Sequence, residues 1–251
     1  MHISQIFISD NEEKLSKFLQ LATTSIRSKF INHEHRIYTN KALRSFLINN
    51  YPAKVLWAYD TLQPYSYKSD LGRFCLLYKL GGWYFDIGIQ CIKSIDVKKN
   101  IDMICFRDEQ RHSLTSWAVS GGAIYSKPNN IILKNSIEAI ITNCQEKWYG
   151  RTPLCPTGPS LLGEQIAKEN RGKNLIIGDL IRPMIPFTRK NFPFFKRIIR
   201  AKYILPDGKA FALIKPASGG NLKSLGVKGS NNYNKFWKER NVYKDIKLYS
   251  K

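Results

Sequence analysis

The sequence predicts an α/β protein with a mixed central sheet flanked by helices, and three observations support this prediction. Short apolar segments of strand length alternate along the chain with longer segments of helical period. A helical pattern ends at Gly81-Gly82 and is followed directly by an apolar strand. Two short strands joined by the turn residues 206–209, PDGK, form a predicted hairpin, which adds antiparallel strands to the sheet.

The predicted strands and helices follow one another through the whole chain. The strands are residues 3–8, 36–38, 55–59 (a strand or an extended run), 83–89, 101–106, 118–125, 175–177, 203–205 and 210–214. The helices are residues 10–30, 40–49, 64–80, 128–148, 159–169 and 231–240. Because no linker or repeat interrupts this alternation, residues 1–251 are expected to form a single domain.

Local signals mark the ends of several helices. Asp10 and Glu13 have the spacing of a capping box before the first helix, and Asn40 is the expected cap of the second. Pro64 is typical of a first helical turn, and Gly81 is typical of the residue just after a helix. The helix that precedes Gly81 therefore has both of its ends marked in the sequence.

Size, hydropathy and cysteine content together predict a cytoplasmic protein. The chain has 251 residues, and no apolar stretch approaches the roughly 20 residues that cross a bilayer. The N-terminal segment has neither the basic region nor the apolar region of a signal peptide. The five cysteines show no metal-binding spacing and are expected to be reduced thiols.

The charge is the unusual part of the composition. Lys and Arg number 40 against 19 Asp and Glu, a net charge of +21, and residues 181–251 carry +14 of it with 17 basic and 3 acidic side chains. Such a field favours an anionic partner: nucleic acid, phospholipid or a phosphorylated substrate. The alternative is a solvated basic face without a partner. No known nucleic-acid-binding motif accompanies the charge, which makes nucleic-acid binding a minor alternative.

Residues 69–86 contain the clearest candidate site. Asp70 and Arg73 are three residues apart on one predicted helix, so their side chains are neighbours. Tyr84 and Asp86 follow on the next strand, and ligands of open α/β sheets bind at the carboxyl ends of strands. We therefore expect these four side chains to converge. The alternative for Asp70 and Arg73 is a local ion pair on the helix surface, worth about 0.2–0.5 kcal/mol.

The same segment resembles a known enzyme family. The matching positions are, in order, Ser69, Asp70, Arg73, Gly81, Gly82, Tyr84 and Asp86. Their pattern is similar to that of the DXD-region glycosyltransferases, which include capsular polysaccharide, lipopolysaccharide and yeast-type mannosyltransferase enzymes. More distantly, it is similar to the glucosyltransferase domains of large clostridial toxins. The later run TGP at residues 157–159 also matches, and the resemblance extends over about residues 5–243.

The resemblance implies a GT-A-like fold and a glycosyltransferase activity. A sugar would move from a nucleotide-sugar donor, with a UDP-sugar favoured, to a glycan or lipid-linked glycan acceptor. The expected setting is bacterial capsule or lipopolysaccharide synthesis, with retention of the anomeric configuration. The alternative is a degenerate protein that binds the sugar nucleotide without turnover.

The resemblance also implies roles for single residues. Asp70 and Arg73 would hold the donor sugar and the phosphate-side oxygens, and Tyr84 would contact the sugar phosphate. Asp86 would be the first acid of the DXD motif and a ligand of Mn²⁺ or Mg²⁺, which would offset the charge of the leaving diphosphate. Phe7, at the end of the first strand, would face the nucleotide base.

The sequence departs from the DXD pattern at its second acid, because that position is Gly88. Near the C-terminus, Lys228, Gly229 and Ser230 occupy the position of a further donor-binding loop. Two arrangements are then open. Either the remaining acid and the oxygens of the donor hold a metal, or Lys228 and Arg73 replace part of the metal's charge.

The acceptor side of the site is less clearly marked. Its candidate residues are Asp108, Glu109, Gly121, Gly122 and Thr157. The two acids follow a predicted strand, where they either face the acceptor or solvate a loop. The two glycines permit either the close approach of a sugar or a tight packing contact.

Residues 194–203, FFKRIIRAKY, place apolar and basic side chains on opposite sides of a predicted helix. A basic amphipathic helix is typical of peripheral contact with an anionic membrane. The inner face of the cytoplasmic membrane would be the expected surface. The alternative is a helix docked on the protein's own core.

Overall fold

The structure is a computed structural model, and it describes residues 1–10, 14–109, 114–182, 200–217 and 220–247. These residues form a nine-stranded sheet with the strand order β2-β1-β3-β6-β5-β7-β8-β9-β4. In chain order the strands are β1 (His2–Ile6), β2 (Glu34–Tyr38), β3 (Gly82–Phe85), β4 (Gln90–Cys91), β5 (Met103–Arg107), β6 (Ala123–Ser126), β7 (Leu175–Ile181), β8 (Lys202–Ile204) and β9 (Ala210–Leu213). The predicted α/β fold with a mixed sheet is confirmed.

Seven α-helices flank this sheet in the described part of the chain. They are α1 (Lys17–Lys29), α2 (Asn40–Asn50), α3 (Ala53–Thr61), α4 (Tyr65–Leu80), α5 (Ile131–Gln145), α6 (Pro159–Glu169) and α7 (Tyr233–Lys238). None of the helices within the described ranges has the length and apolar character needed to cross a membrane.

The two faces of the sheet pack against different helices. Successive strand residues point to opposite faces, so Tyr84 and Cys105 join the apolar core formed with helices α2 to α6. Their strand neighbours Trp83 and Phe106 join a second core, which includes Ile26 of α1 and the inner residues of the β8–β9 hairpin. Burial on both faces therefore fixes the register of the central strands.

Four strands of the sheet end at the same edge. Strands β1 and β3 are parallel, and so are β5 and β7. Because β6 runs antiparallel to both β3 and β5, all four strands point in one direction. Ligands of such sheets bind at the carboxyl ends of the strands, and this edge is where the cavities described below are found.

One predicted strand is wrong. Residues 55–59 belong to helix α3, in which Val55, Ala58 and Tyr59 are buried at helical spacing. A five-residue apolar run fits a buried strand and a buried helix equally well, because periodicity cannot separate them at that length. Packing of this run against α2 and α5 decided the outcome.

Two predicted helix caps are also wrong. Helix α1 begins at Lys17 with Ser16 as its cap, and the backbone N–H of Asp10 donates to the carbonyl of Gly229 at 3.0 Å. Glu13, the other residue of the predicted capping box, lies outside the described residues. Helix α2 is capped by Thr39, whose hydroxyl accepts from the backbone N–H of Ala42. In both cases a hydroxyl residue near the predicted site supplies the capping oxygen.

The predicted amphipathic helix at residues 194–203 lies mostly outside the described residues. At its C-terminal end the prediction is wrong, because Tyr203 belongs to strand β8 and is fully buried in the core. Its hydroxyl forms a hydrogen bond with the hydroxyl of Ser120 at 3.0 Å.

Candidate active site

The connection from helix α4 to strand β3 places the central residues of the site. Gly81 ends α4 with a φ of 64°, and Gly82 follows with a φ of 87°. A Cβ at position 82 would lie 2.1 Å from the carbonyl oxygen of His2 in β1, so only glycine allows β3 to pair this closely. The sharp connection brings Asp70 and Arg73 of α4 beside Asp86, which follows β3.

Arg73 is the centre of the resulting cluster. Its side chain is 6% exposed, and its Nη2 atom lies 3.1 Å from Oδ1 of Asp70 and 3.2 Å from Oδ1 of Asp86. The guanidinium carbon lies 4.7 Å from the centre of the Tyr84 ring, and Nε donates to the carbonyl of Ser69 at 3.1 Å. The four predicted side chains do converge, so Asp70 and Arg73 are not an exposed ion pair.

Asp86 is bound by three groups at once. Besides the contact with Arg73, Oδ1 accepts a hydrogen bond from the hydroxyl of Tyr84 at 3.0 Å, and Oδ2 lies 3.3 Å from Nζ of Lys215. Burial acts to raise the pKa of Asp86, but the charges of Arg73 and Lys215 outweigh it and hold this pKa below its usual value. Asp86 is therefore ionised at neutral pH.

Asp70 is bound through both of its carboxylate oxygens, with Oδ1 contacting Arg73. The hydroxyl of Thr157 donates to Oδ2 of Asp70 at 2.7 Å. Burial raises the pKa of this carboxyl, while Arg73 and the hydrogen bond from Thr157 act against that rise. Thr157 precedes α6, so the start of that helix fixes the position of Asp70.

Two adjoining cavities meet at this cluster. The larger one has a volume of about 300 Å³, and the smaller one about 50 Å³. Both are lined by Arg73, Asp86 and Lys215. The larger cavity is also lined by Asp70, Asp108, Glu109, Gly121, Gly122, Tyr67, Tyr203 and Tyr233. The smaller one is also lined by Phe7, Ile8, Tyr65, Tyr84, Leu222 and Ser230.

Comparison with known proteins shows which enzymes the site-bearing part of the chain is similar to. Residues 10–108 match the model of a family described as a glycosyltransferase sugar-binding region containing a DXD motif. The matched segment contains Asp70, Arg73 and Asp86, the three charged residues around which the cluster is built. This part of the chain is therefore similar to the DXD-containing glycosyltransferases.

Two relatives are named as sugar transferases. One is an uncharacterized glycosyltransferase of Acanthamoeba polyphaga mimivirus, which is 22% identical over 76% of each chain. Another is the inositol phosphoceramide mannosyltransferase 3 of Schizosaccharomyces pombe, which is 33% identical over 26% of this chain and 18% of the relative. Among solved structures, the PaToxG glycosyltransferase shares the fold, with a TM-score of 0.50 and 18% identity over 68% of this chain and 69% of that chain.

The acceptor-side candidate residues have different surroundings. Asp108 lines the larger cavity, and burial raises its pKa to about 6. Glu109 lines the same cavity and is paired with Arg182, whose Nη2 lies 3.0 Å from Oε1 of the carboxylate. Thr157 lies behind Asp70 and does not line either cavity.

The two candidate glycines are required by packing. A Cβ at Gly121 would lie 2.3 Å from Nη1 of Arg73, and a Cβ at Gly122 would lie 2.3 Å from the hydroxyl of Tyr203. The carbonyl of Gly122 also accepts the backbone N–H of Asp86 at 2.7 Å. These glycines line the larger cavity, and their lack of a side chain makes room for the cluster itself.

The donor-side candidates lie in different places. Phe7 is buried in a small apolar cluster and lines the smaller cavity, as does Ser230, whose hydroxyl accepts the backbone N–H of Leu222 at 2.9 Å. Lys228 is exposed and lines neither cavity. Gly229 packs against Asp10. The donor-side role expected for Lys228 therefore gains no support from its position.

Lys215 is the charged residue of the site that sequence reasoning missed. It follows strand β9, and 129 positions separate it from Asp86 in the sequence. A single lysine before a proline carries no local signal of a binding site. Only the antiparallel pairing of β9 with β8 and β4 brings it to the cluster.

The side chains around Asp86 do not fit a divalent cation. Both oxygens of Asp86 already contact positively charged groups, and Asp70 is bound by Arg73 and Thr157. Mg²⁺ and similar ions bind several oxygen ligands, yet in the described ranges no three His, Cys, Asp or Glu side chains are close enough to form such a site.

Proposed function

We propose that this protein is a glycosyltransferase that moves a sugar from a nucleotide-sugar donor, with a UDP-sugar favoured, to a glycan acceptor. The observation that carries the proposal is the position of Arg73 and Lys215, whose positive groups lie where the two cavities meet. The diphosphate of a sugar nucleotide lies between its base and its sugar. A donor with its diphosphate at Lys215 would therefore place its base in one cavity and its sugar in the other.

The residues that line the two cavities support one orientation of the bound donor. The smaller cavity is lined by Phe7, Ile8 and Tyr65, which suit a nucleotide base. The larger cavity is lined by Asp70, Asp108 and Glu109, and carboxylates can accept hydrogen bonds from sugar hydroxyls. We assign the base to the smaller cavity, and the donor sugar and the acceptor to the larger one.

The chemistry of transfer needs positive charge at the leaving group. The bond between the anomeric carbon and the phosphate oxygen breaks, and its electron pair stays on the diphosphate. The new bond joins that carbon to an oxygen of the acceptor, whose proton passes to the departing phosphate. Arg73 and Lys215 are fixed before the reaction, so they stabilise the developing negative charge with little reorganisation. We propose that the configuration of the anomeric carbon is retained.

We further propose a bacterial capsule or lipopolysaccharide glycan as the acceptor, which includes glycans linked to lipid. The net charge of +14 in residues 181–251 supports an anionic acceptor or an anionic membrane surface near it. Such a location would be peripheral and on the cytoplasmic side.

The test is a hydrolysis and transfer assay over a panel of UDP-, GDP- and dTDP-sugars, with Asp86→Asn as the inactive control. Release of the nucleoside diphosphate by the wild type, but not by the variant, is the expected result. Analysis of the product by NMR reports the anomeric configuration. Binding of a sugar nucleotide without any turnover would instead support the degenerate alternative, and no binding of any donor would refute the proposal.

A further inference from the structure

The position of the missing second acid is filled by another side chain. Residues 86–89 form a tight turn, in which the backbone N–H of Ile89 donates to the carbonyl of Asp86 at 3.0 Å. A Cβ built at Gly88 would lie 2.6 Å from Cβ and 3.2 Å from Cδ of Lys215. The stem of Lys215 therefore occupies the space in which the side chain of an acid at position 88 would begin.

The ammonium group of Lys215 also contacts Asp86, the one acid of the motif that remains. Nζ of Lys215 lies 3.3 Å from Oδ2 of Asp86, while Oδ1 contacts Arg73 at 3.2 Å. The Lys215 side chain is only 16% exposed, so protein surrounds most of it. A divalent cation at Asp86 would have to displace this lysine, and position 88 offers it no second carboxylate.

We propose that Lys215 takes the place of the divalent cation in this glycosyltransferase, so that donor binding and transfer need no metal. This inference rests on the proposed function, because it assigns the partner of the donor's diphosphate. It also changes one residue of the expectation from the sequence, in which Lys228 and Arg73 together would replace part of the metal's charge.

The chemistry of lysine suits this role. An ammonium group is a compact point charge with three hydrogen-bond donors, and among the described residues Asp86 takes one of them. The other donors are available to phosphate oxygens in the cavities that Lys215 lines. When the bond between the anomeric carbon and the phosphate oxygen breaks, the electron pair remains on the diphosphate beside Lys215. Arg73 is the second positive group that would stabilise this charge.

Binding of UDP provides the first test, measured by calorimetry in EDTA and again in Mn²⁺. The wild type is expected to bind UDP equally well in both, within about twofold. Lys215→Met should weaken binding in EDTA by at least about tenfold and reduce transfer by about 10²–10³-fold. Lys134→Met, which removes an exposed lysine from helix α5, is the matched control and should bind UDP like the wild type. Binding that requires Mn²⁺ would overturn the proposal.

Binding of Mn²⁺ to the protein alone is a second test that does not depend on the donor. We expect the wild type to bind no Mn²⁺ at millimolar concentration, as measured by electron paramagnetic resonance. Gly88→Asp combined with Lys215→Gly restores the second acid and removes the Cβ that would collide with it, so this variant should gain Mn²⁺ binding. Tight Mn²⁺ binding by the wild type would overturn the proposal. If UDP failed to bind under any condition, the proposed function would be refuted, and the Mn²⁺ titration would still decide whether Lys215 excludes the metal.

Discussion

Replacing Arg73 with methionine should strongly destabilise the protein as well as inactivate it. Methionine keeps much of the apolar stem of arginine but leaves Asp70 and Asp86 without the cation that they share. A surface ion pair would contribute only about 0–1 kcal/mol. Arg73 is 5% exposed, and breaking a buried pair by removing one partner costs about 3–5 kcal/mol.

The geometry of the cluster gives an independent estimate of this loss. One oxygen of each carboxylate contacts the same Nη2 atom, at 3.1 and 3.2 Å, so these two oxygens are at most about 6.3 Å apart. Two unit charges at that separation repel each other by roughly 2–3 kcal/mol if the effective dielectric constant is about 20. Loss of the cation–π contact with Tyr84 adds about 0.5–2 kcal/mol.

The assay is urea unfolding followed by circular dichroism at pH 7 and at pH 5. We expect Arg73→Met to lower the free energy of unfolding by about 3–5 kcal/mol at pH 7. The loss should be smaller at pH 5, because Asp70 without Arg73 keeps only the hydrogen bond from Thr157, burial then raises its pKa further, and it takes up a proton in the folded state. Adding Asp70→Asn should restore part of the stability at pH 7.

The matched control is Arg107→Met. Arg107 pairs with Asp179 at 2.7 Å, and the two side chains are 57% and 37% exposed. We expect this substitution to cost less than about 1 kcal/mol. A cost below about 1 kcal/mol for Arg73→Met as well, with no dependence on pH, would refute the reasoning that the buried cluster depends on this cation.

Three further predictions concern the site and its surroundings. Asp86→Asn and Asp86→Ala should each lower transfer by about 10²–10³-fold while the circular dichroism spectrum stays native, and near-normal turnover in both would exclude Asp86 from the mechanism. Asp108 has a pKa of about 6, raised by burial, so its ionisation opposes folding increasingly as pH rises from about 4 to 6. Asp108→Asn should therefore stabilise the protein by about 1–3 kcal/mol at pH 7.5 and by almost nothing below pH 4, and a gain that did not change with pH would contradict this account. Because residues 181–251 carry a net charge of +14, the protein should co-sediment with anionic vesicles at low salt and be released at high salt; equal, negligible binding to anionic and neutral vesicles would count against a membrane role.

Several elements of the fold could be predicted because their signals are local. The helix from Pro64 to Gly81 and the strand after it were predicted to within a few residues, since a proline, two glycines and a change of periodicity mark the boundaries. The prediction failed at residues 55–59 because five apolar residues carry too little periodicity to separate a strand from a helix. Strand β4 has only two residues, so no sequence pattern could indicate it.

The sequence by itself determined the half of the site that lies within one continuous segment. Asp70, Arg73 and Asp86 are close in the chain, and the spacing of a helix, a glycine turn and a strand brings them together in almost any α/β context. It also indicated that the second acid of the DXD motif is missing at Gly88.

Only the tertiary structure decided what stands in place of that acid. Lys215 reaches Gly88 and Asp86 because β9 pairs with β4 and β8 at the far edge of the sheet. Such a contact depends on strand pairing between distant segments, and a single sequence carries no signal of which lysine will lie nearest to a given carboxylate. The net charge of +21 follows from composition and can be counted in the sequence. Which lysine lies beside Asp86 depends on how distant segments pack, so only the fold determines it.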